Sequence, residues 1–305
     1  MTLSDDARLP RPLLEVDDVS VVRGGSVVLE NVSLSVQPSE LLGVIGPNGA
    51  GKSTLLQAMA GLLPHSTGSV RFAGEPIEGW PRRRLARRLA LVGQATGWSF
   101  ALPIREVVAL GRYPYQPWWG GESPVDRQAV QDALAWTNLT ELAARPVTAV
   151  SGGEAQRVLL AQALAQIWQP GDSRSEPETP PVLLLDEPTA HLDLGYQVGF
   201  FSLWRQIQTR LRAAIVVVLH DLNLAGRFCD RLLLLSQGHV VDWGRPEQVL
   251  QREQLERVYG TPLWVGHIVE NHPGDPGAVG QASPQRSAGI PVVLPAPPGA
   301  CHGRV

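Results

Sequence analysis

The residues from 46 to 54 carry the most specific chemical pattern in this sequence. They read GPNGAGKST, follow the apolar run Leu41–Ile45 and open a stretch with helical periodicity, which is the context that the GxxxxGK[ST] pattern requires. Glycines let the backbone curl so that successive N–H groups point at phosphate oxygens, and the following helix N-terminus adds a partial positive charge. We therefore predict that this loop binds a nucleoside triphosphate. The predicted binding residues are Gly46, Pro47, Asn48, Gly49, Ala50, Gly51, Lys52, Ser53 and Thr54.

A pair of acids supplies the chemistry that phosphate transfer needs beside this loop. The run PVLLLDEP at 181 to 188 is continuously apolar until Asp186 and Glu187, as expected for a strand that is buried on both faces of a parallel sheet. Ligands bind beyond the carboxyl ends of such strands. We predict that Asp186 and the Ser53 hydroxyl bind Mg²⁺, directly or through water, that Lys52 reaches the β and γ phosphates, and that Glu187 polarises the attacking water. An acidic pair after a strand is otherwise only a solvated strand end, and the phosphate loop favours the catalytic interpretation.

The segment VSGGEAQR at 150 to 157 admits two interpretations. Ser151 and Glu154 have the S-x-x-E spacing of a capping box at the start of a helix. That explanation leaves Gly152 and Gly153 unexplained, because each glycine lowers helix propensity by roughly 1 kcal/mol in the first turn. Two glycines make sense if a phosphate approaches this backbone closely. Both interpretations can hold together.

The elements that must position these residues are of two kinds. Residues 13 to 45 are rich in short β-branched runs, whereas residues 76 to 145 are mostly helix-like. The remainder alternates apolar strands with helices, which predicts an α/β core with parallel strands. Residues 169 to 181, and the tail from about Asn271, are rich in Pro, Gly, Ser and polar residues and are predicted to lack fixed structure. The predicted buried strands of the remainder are Val182–Leu185, 214 to 219 and Arg231–Ser236.

Composition narrows the class of protein. The chain has 305 residues, 44% of them hydrophobic, and a formal net charge of -3, so we expect no general attraction to nucleic acid. The two cysteines, Cys229 and Cys301, have no CxxC or His spacing, which predicts neither a disulfide framework nor a zinc site. The apolar runs are far shorter than the roughly 18 to 20 residues that cross a bilayer as a helix. The acidic N-terminus has no secretory pattern.

The order of the motifs resembles the nucleotide-binding domain of ABC ATPases over roughly residues 13 to 262. The phosphate loop comes first, SGGE-Q follows, then DEP after an apolar strand, then LHD after another strand. The resemblance implies a P-loop NTPase with a mainly parallel core sheet, an N-terminal antiparallel β part and an inserted helical subdomain at about 76 to 160. Residues 263 to 305 then form a C-terminal extension.

The resemblance also assigns roles to single residues outside the phosphate loop. It implies that Gln94, which ends LALVGQ, contacts Mg²⁺ or the attacking water, and that His220 contacts the γ-phosphate as the switch histidine. Asp193, in AHLD, is then the D-loop aspartate. Taken alone, an isolated Gln or His at a strand end is a satisfied polar residue. By the same resemblance the catalytic residues are Glu187, His220 and Gln94, and the Mg²⁺ ligands are Ser53, Gln94 and Asp186.

The family pattern further implies a dimer in which two copies enclose two ATP molecules. Each ATP is held by the phosphate loop of one copy and by the signature turn of the other, formed by Ser151, Gly152, Gly153 and Glu154. One departure concerns the adenine: family members commonly stack it on an aromatic residue, whereas this sequence has Arg23 before Gly24 and Gly25. Either the guanidinium stacks on the base or Arg23 is an ordinary exposed hairpin residue.

Within the family, the chain resembles a free-standing motor rather than an exporter fused to membrane helices. REVVALGRYP at 105 to 114, DEPTAHLDL and LHDLNLA are similar to the ATPases of iron-siderophore, haem and vitamin B12 importers. This predicts a peripheral protein on the cytoplasmic face of the membrane that works with integral permease subunits and an external substrate-binding protein. The alternatives are a soluble ABC regulator that switches partners without transport, and an importer ATPase for another substrate.

Two further features of the helical part stay open at the level of sequence. Tyr113, Tyr115, Trp118 and Trp119 either contact a partner or pack locally. The arginine-rich run at 82 to 88 is either a solvated basic helix face or a surface that meets lipid head groups.

Overall fold

Short apolar runs form the central sheet of the protein. In the computed structural model, which describes residues 11–93, 97–117, 121–170, 179–190, 192–268 and 289–296, this sheet has six strands in the spatial order 10-9-3-8-7-6. Neighbouring strands are parallel except at one edge, where strand 10 returns as a hairpin beside strand 9. The strands are β3 (Leu41–Ile45), β6 (Leu89–Val92), β7 (Val182–Leu185), β8 (Ala214–Val218), β9 (Arg231–Ser236) and β10 (His239–Gly244).

A second, antiparallel sheet is built from the N-terminal third of the chain, in the spatial order 2-1-4-5. Alternating burial along its strands shows that one face packs on the core while the other meets solvent, as is usual for antiparallel sheets. This agrees with the strand-rich opening that the sequence predicts. The strands are β1 (Leu14–Arg23), β2 (Ser26–Val36), β4 (Thr67–Phe72) and β5 (Glu75–Pro76).

Helices cover the remaining surfaces of the central sheet, and three of them form a helical part between β6 and β7. No helix in the described ranges combines the length and the apolar character that a membrane crossing needs. The helices are α1 (Lys52–Met59), α2 (Arg82–Ala86), α3 (Ile104–Ala109), α4 (Pro124–Trp136), α5 (Gly152–Ile167), α6 (Leu194–Leu211), α7 (Leu222–Phe228), α8 (Pro246–Val249) and α9 (Arg252–Tyr259).

Both faces of the central sheet are buried, which explains the unbroken apolar run of β7. Val182 and Leu184 join the core that also contains the antiparallel sheet and α1. Leu183 and Leu185 point to the opposite face and join the core that α5 and α6 cover. All four side chains are fully buried. The predicted α/β class with a parallel core is therefore confirmed by the structure.

Strand β6 lies inside the stretch that the sequence predicts as mostly helical, so the prediction is wrong for these four residues. LALV pairs in parallel with β7, from Leu89 beside Val182 to Val92 beside Leu185. A short apolar run has no periodicity that separates a strand from a buried helix segment. The run LALV forms a strand because it pairs with the edge of β7 that is otherwise free.

Part of the C-terminal tail is ordered as well, contrary to the expectation for the whole stretch. Strand β12 (Ile290–Pro295) pairs antiparallel with β11 (Leu263–Ile268). The side-chain amide of Asn223 on α7 makes two hydrogen bonds to the backbone of β12. Val293 N–H donates to Asn223 Oδ1 at 2.7 Å, and Asn223 Nδ2 donates to the Val293 carbonyl at 3.2 Å. The expectation rests on the average composition of the tail, which is rich in Pro and Gly, and that average does not show the local apolar run IPVVLP at 290–295. Residues 171–178, in the other stretch predicted without structure, lie outside the described residues.

A buried arginine joins the pieces of the helical part. Arg112, with 1% of its surface exposed, donates to the Asp126 carboxylate at 2.9 Å. It also donates to the carbonyls of Ala165 and Trp168, both at 2.7 Å, and to Gln169 Oε1 at 3.0 Å. Hydrogen bonds from Ser123 and Arg112 outweigh the opposing effect of burial and lower the pKa of Asp126. The turn before α4 is thereby fixed to the end of α5.

We expect Arg112→Met to destabilise the protein by about 3–5 kcal/mol, because it leaves Asp126 Oδ1 and two carbonyls buried without the Arg112 donor. Urea unfolding followed by circular dichroism measures the change. The matched control is Arg105→Met, which removes an exposed ion pair with Glu122 at 3.4 Å and is expected to cost less than about 1 kcal/mol. Equal midpoints for the two variants would show that Arg112 does not hold the helical part together.

Candidate functional site

The loop at 46–51, between β3 and α1, has a backbone that only glycine adopts without strain. Gly46 has φ 146° and Gly51 has φ 100°, both in the region that side chains with a Cβ rarely occupy. A Cβ on Gly46 would collide with the carbonyl oxygen of Leu235, and one on Gly51 would lie 2.9 Å from the carbonyl oxygen of Val28. The loop is therefore closely packed between β9 and β2.

This loop forms the floor of an open cleft of about 620 Å³. Most of the sequence-predicted phosphate-binding residues line it, and Glu187 and His220 line it with them. Two lining residues, Val28 on β2 and Ala190, were missed at the level of sequence. No residue type marks Val28, and only the packing of β2 against the loop brings it there. The predicted residues that line the cleft are Asn48, Gly49, Ala50, Gly51, Lys52, Ser53, Thr54, Glu187 and His220.

Lys52 opens α1 and turns its ammonium group back over the loop. Its Nζ donates to the carbonyl of Gly46 at 2.8 Å and to that of Pro47 at 2.9 Å. Burial lowers the pKa of Lys52, and the carboxylates of Glu187 and Asp186 oppose that effect. The positive charge is thus held in the cleft by carbonyl oxygens and two nearby acids.

Ser53 and Asp186 come together across the sheet. The Ser53 hydroxyl donates to Asp186 Oδ1 at 3.1 Å. Burial raises the pKa of Asp186, and the hydrogen bond from Ser53 opposes it. A hydroxyl beside a carboxylate is the oxygen-donor chemistry that Mg²⁺ prefers, with water and substrate phosphates completing the octahedron. In the described ranges no cluster of three or more His, Cys, Asp and Glu side chains is present, so these residues fit Mg²⁺ bound together with phosphate rather than a complete protein cage.

Glu187 and His220 form a close pair at the mouth of the cleft. His220 Nε2 lies 2.7 Å from Glu187 Oε1. The reason is the sheet: Leu185 on β7 is opposite Val217 on β8, so the residues that follow these strands emerge side by side. Glu187 has φ 51°, a left-handed conformation that costs on the order of 1 kcal/mol or more for a residue with a Cβ. The chain bends sharply here and turns the carboxylate towards His220.

The signature turn does not line this cleft. Ser151 caps α5: its Oγ accepts from the Glu154 amide at 3.3 Å, and Glu154 Oε2 accepts from the Ser151 amide at 2.7 Å. The backbone hydrogen bond from Ser151 is the main cause that lowers the pKa of Glu154. The capping box that the sequence predicts is present. Gly152 and Gly153 occupy the first turn of α5, so their backbone is presented at the surface of the helical part.

Asp193 caps α6 beside that turn. Its Oδ1 accepts from the Tyr196 amide at 3.0 Å, and the ring of Tyr196 lies where a Cβ on Gly153 would meet it, at 3.4 Å. The D-loop and the signature turn are therefore neighbours within one chain. Gln94 lies outside the described residues. Arg23, at the exposed end of β1, is not among the described residues that line the cleft.

A parallel sheet with this loop after one strand and an acid after another defines a P-loop nucleoside triphosphatase. The model of the family described as ABC transporter matches residues 29–190. The hemin import ATP-binding protein HmuV of Pseudomonas aeruginosa is 44% identical over 86% of this chain and 96% of its own length. The cobalamin import ATP-binding protein BtuD of Halobacterium salinarum is 40% identical over 83% of this chain and 60% of its own length.

Solved structures show the same fold. A chain described as belonging to a metal-chelate type ABC transporter, in an inward-facing conformation, superposes with a TM-score of 0.74 at 23% identity and covers 94% of this chain and 99% of its own. The cbiO1 structure from Clostridium perfringens superposes with a TM-score of 0.66 at 26% identity, over 81% and 93% of the two chains. The chain belongs to the ABC transporter family. It is an ABC-type ATPase, as the motifs predict.

We expect Glu187→Gln to bind ATP with unchanged affinity but to hydrolyse it at least about 100-fold more slowly. The amide keeps the size of the side chain and its proximity to His220, yet it cannot take a proton from water. Phosphate release and fluorescent-nucleotide binding, measured on the same preparation, separate the two effects. Glu30→Gln, a change on exposed β2 beside His239, is the control for loss of an acid near a histidine. Turnover within a few-fold of the unmodified protein would contradict this role of Glu187.

Proposed function

We propose that this chain is the ATP-hydrolysing subunit of an importer for a metal chelate, and that the chelate is of the haem class. The observation that carries the proposal is the 44% identity to a hemin import ATP-binding protein across 96% of that protein's length. Cobalamin and ferric siderophores, which the sequence resemblance includes, are the second choice. The cobalamin relative is matched over only 60% of its length.

The cleft supports the ATPase half of this proposal residue by residue. The amides of the loop and the ammonium group of Lys52 bind the β and γ phosphates. Ser53 and Asp186 hold Mg²⁺, and Gln94 is the third proposed ligand. When bound, Mg²⁺ neutralises charge on the phosphates and orients them. Asp186 needs to be ionised for this role; burial raises its pKa, and the Ser53 hydrogen bond and the Lys52 ammonium oppose that effect.

Glu187 and His220 activate and position the attacking water. Glu187 accepts the proton from that water, while His220, at 2.7 Å from the Glu187 carboxylate, orients the acid and contacts the γ-phosphate. About a fifth of the Glu187 side chain is exposed, compared with 43% of that of His220. Water therefore reaches the pair from the open side of the cleft. A second surface that covers this side completes the site and excludes bulk solvent.

That second surface is a second copy of the chain. Ser151, Gly152, Gly153 and Glu154 do not line the cleft of their own chain, but α5 presents this turn at the surface. A helix N-terminus with two glycines gives a γ-phosphate close access to backbone amides. Asp193, which lies next to the turn through Tyr196, is the proposed D-loop aspartate. Two ATP molecules are then enclosed between two chains, and hydrolysis opens the pair.

The helical part is the proposed docking surface for the integral permease subunits. It exposes four large apolar side chains close to one another in sequence: Phe100, Leu102, Leu110 and Tyr113, between 40% and 76% exposed. Aromatic and aliphatic anchors of this kind are typical of protein interfaces. The chain then sits peripherally on the cytoplasmic face of the membrane, and an external substrate-binding protein delivers the chelate. We propose no nucleic-acid partner.

A mixed complex tests the shared ATP sites. We expect a transporter with one Lys52→Ala subunit and one Ser151→Ala subunit to trap nucleotide with vanadate at one site, because one site then collects both defects and the other is intact. If Ser151 served the ATP of its own chain, both sites would be damaged. Each pure variant is the control and stays defective at two sites. Absence of trapping in verified mixed complexes would count against the sharing of sites.

Reconstitution tests the cargo. With its own permease subunits in liposomes that enclose ATP, the chain is expected to drive uptake of haem, and Glu187→Gln is the matched inactive control. Cobalamin, a ferric siderophore and a sugar are offered in parallel to compare initial rates. Faster uptake of cobalamin or of the siderophore would replace haem within the metal-chelate class. Uptake of the sugar alone would overturn the importer class that we propose.

A further inference from the structure

A second cavity, of about 410 Å³, lies beside the short helix α2. Its described lining includes Arg84, Arg87 and Arg88, together with Gln169 and Thr179. Among the described residues that line it there is no carboxylate. Three arginines therefore line a space whose described walls include no acid.

This cavity is remote from the nucleotide cleft. The carbonyl of Arg88 accepts from the amide of Val182 at 2.7 Å, and Val182 is the first residue of β7. Asp186 and Glu187 follow the other end of that strand. Four residues of strand span roughly 13 Å, so the arginines lie at the amino ends of the parallel strands and ATP binds at their carboxyl ends. ATP hydrolysis makes no use of this cavity.

Aromatic rings and a carbonyl hold two of the arginines in place. Arg84 lies 4.9 Å from the ring centre of Trp80, which is 6% exposed. Arg87 lies 4.7 Å from the ring centre of Tyr115 and donates from Nε and Nη2 to the carbonyl of Pro114, at 3.1 and 2.9 Å. Guanidinium groups that are ordered before a ligand arrives lose less side-chain entropy on binding.

The buried Arg112 contacts two residues that line this cavity, Tyr115 and Gln169. Its guanidinium lies 3.6 Å from the ring centre of Tyr115 and donates to Gln169 Oε1 at 3.0 Å. Because the Gln169 oxygen is occupied, the amide NH₂ is the group that Gln169 offers to the cavity. The described lining thus presents hydrogen-bond donors from three arginines and one amide, beside the hydroxyl of Thr179.

We propose that this cavity binds a phosphate group. Arg84 is on α2, and Arg87 and Arg88 follow its end directly, so three positive charges lie close together and a dianion relieves their repulsion. Guanidinium forks match phosphate oxygens in pairs. The rings of Trp80 and Tyr115 are covered by guanidinium groups, so they offer no platform for a nucleobase. The phosphate belongs either to a soluble phosphate ester or to the head group of an anionic lipid.

Pyrophosphate is the probe for the shared chemistry. Calorimetric titration of the full chain, with its nucleotide cleft saturated by Mg²⁺-ADP, is expected to show one further pyrophosphate per chain. Arg84→Gln with Arg88→Gln should weaken this binding by about 10-fold or more, since each charged hydrogen bond contributes at least that factor. The control is Arg82→Gln with Arg83→Gln, an equal charge change at two exposed positions of α2, expected to alter affinity by less than about 2-fold.

A measurement on the unmodified chain keeps the test decisive if the double variant fails to fold. Pyrophosphate should protect Arg84 and Arg88 from phenylglyoxal in peptide mass spectra, while Arg82 and Arg83 react as before. No pyrophosphate binding outside the nucleotide cleft, or an equal loss in both double variants, would overturn the proposal. Equal protection of all four arginines would do the same, because it would indicate a general basic surface.

Vesicle flotation separates the two sources of phosphate. If the group is a lipid head group, the chain floats with phosphatidylcholine vesicles that contain phosphatidylglycerol, pyrophosphate releases it, and the Arg84 and Arg88 double variant stays in solution. If the source is soluble, the chain binds pyrophosphate but floats neither with these vesicles nor with vesicles of phosphatidylcholine alone. Flotation that pyrophosphate does not reverse, without binding of pyrophosphate itself, would contradict a phosphate site in this cavity.

Discussion

The nucleotide site depends on one constraint, which is that the carboxyl ends of adjacent parallel strands meet at a single edge of the sheet. Strands β3, β8 and β7 are neighbours, and neighbouring strands lie about 4.8 Å apart. The phosphate loop, His220 and the pair Asp186 and Glu187 each follow one of them. Side chains that are distant along the chain are thereby brought within hydrogen-bond reach, as the Ser53 contact with Asp186 and the His220 contact with Glu187 show.

The same edge concentrates unfavourable features that a purely structural sheet would avoid. Lys52 is 5% exposed, Asp186 is desolvated, and Glu187 adopts a left-handed backbone conformation. Each of these costs free energy in the folded state. Two fully buried faces of the sheet support them, because apolar burial above and below the strands fixes where each strand ends. A site that binds a highly charged ligand is thus carried by the most apolar part of the molecule.

The opposite end of the sheet, together with the helical part, is organised around a different kind of interaction. Arg112 is buried with its hydrogen bonds directed to Asp126, two carbonyls and Gln169, and the ring of Tyr115 lies against it. A buried charge is tolerated when it is paired and its donors are used. Arg84, Arg87 and Arg88 differ, since the described lining of their cavity includes no acid. This contrast is what separates a structural arginine from the proposed phosphate site.

The sequence by itself determined the class of protein, the phosphate loop and the identity of the acids and the histidine at the strand ends. The loop could be predicted because a phosphate cradle is made by consecutive residues, so its requirements for glycine, lysine and serine appear as a local pattern. The acids follow an apolar strand, and the histidine is indicated by the family resemblance. The strand character of β6, the order of the tail at β12, the lining by Val28 and the role of Arg112 were decided only by the tertiary structure. Each depends on a partner far away in the chain: β7 for β6, Asn223 for β12, the phosphate loop for Val28, and Asp126 with the end of α5 for Arg112. Such contacts follow from strand order and from the packing of elements on the sheet, and no local pattern of residue types records them.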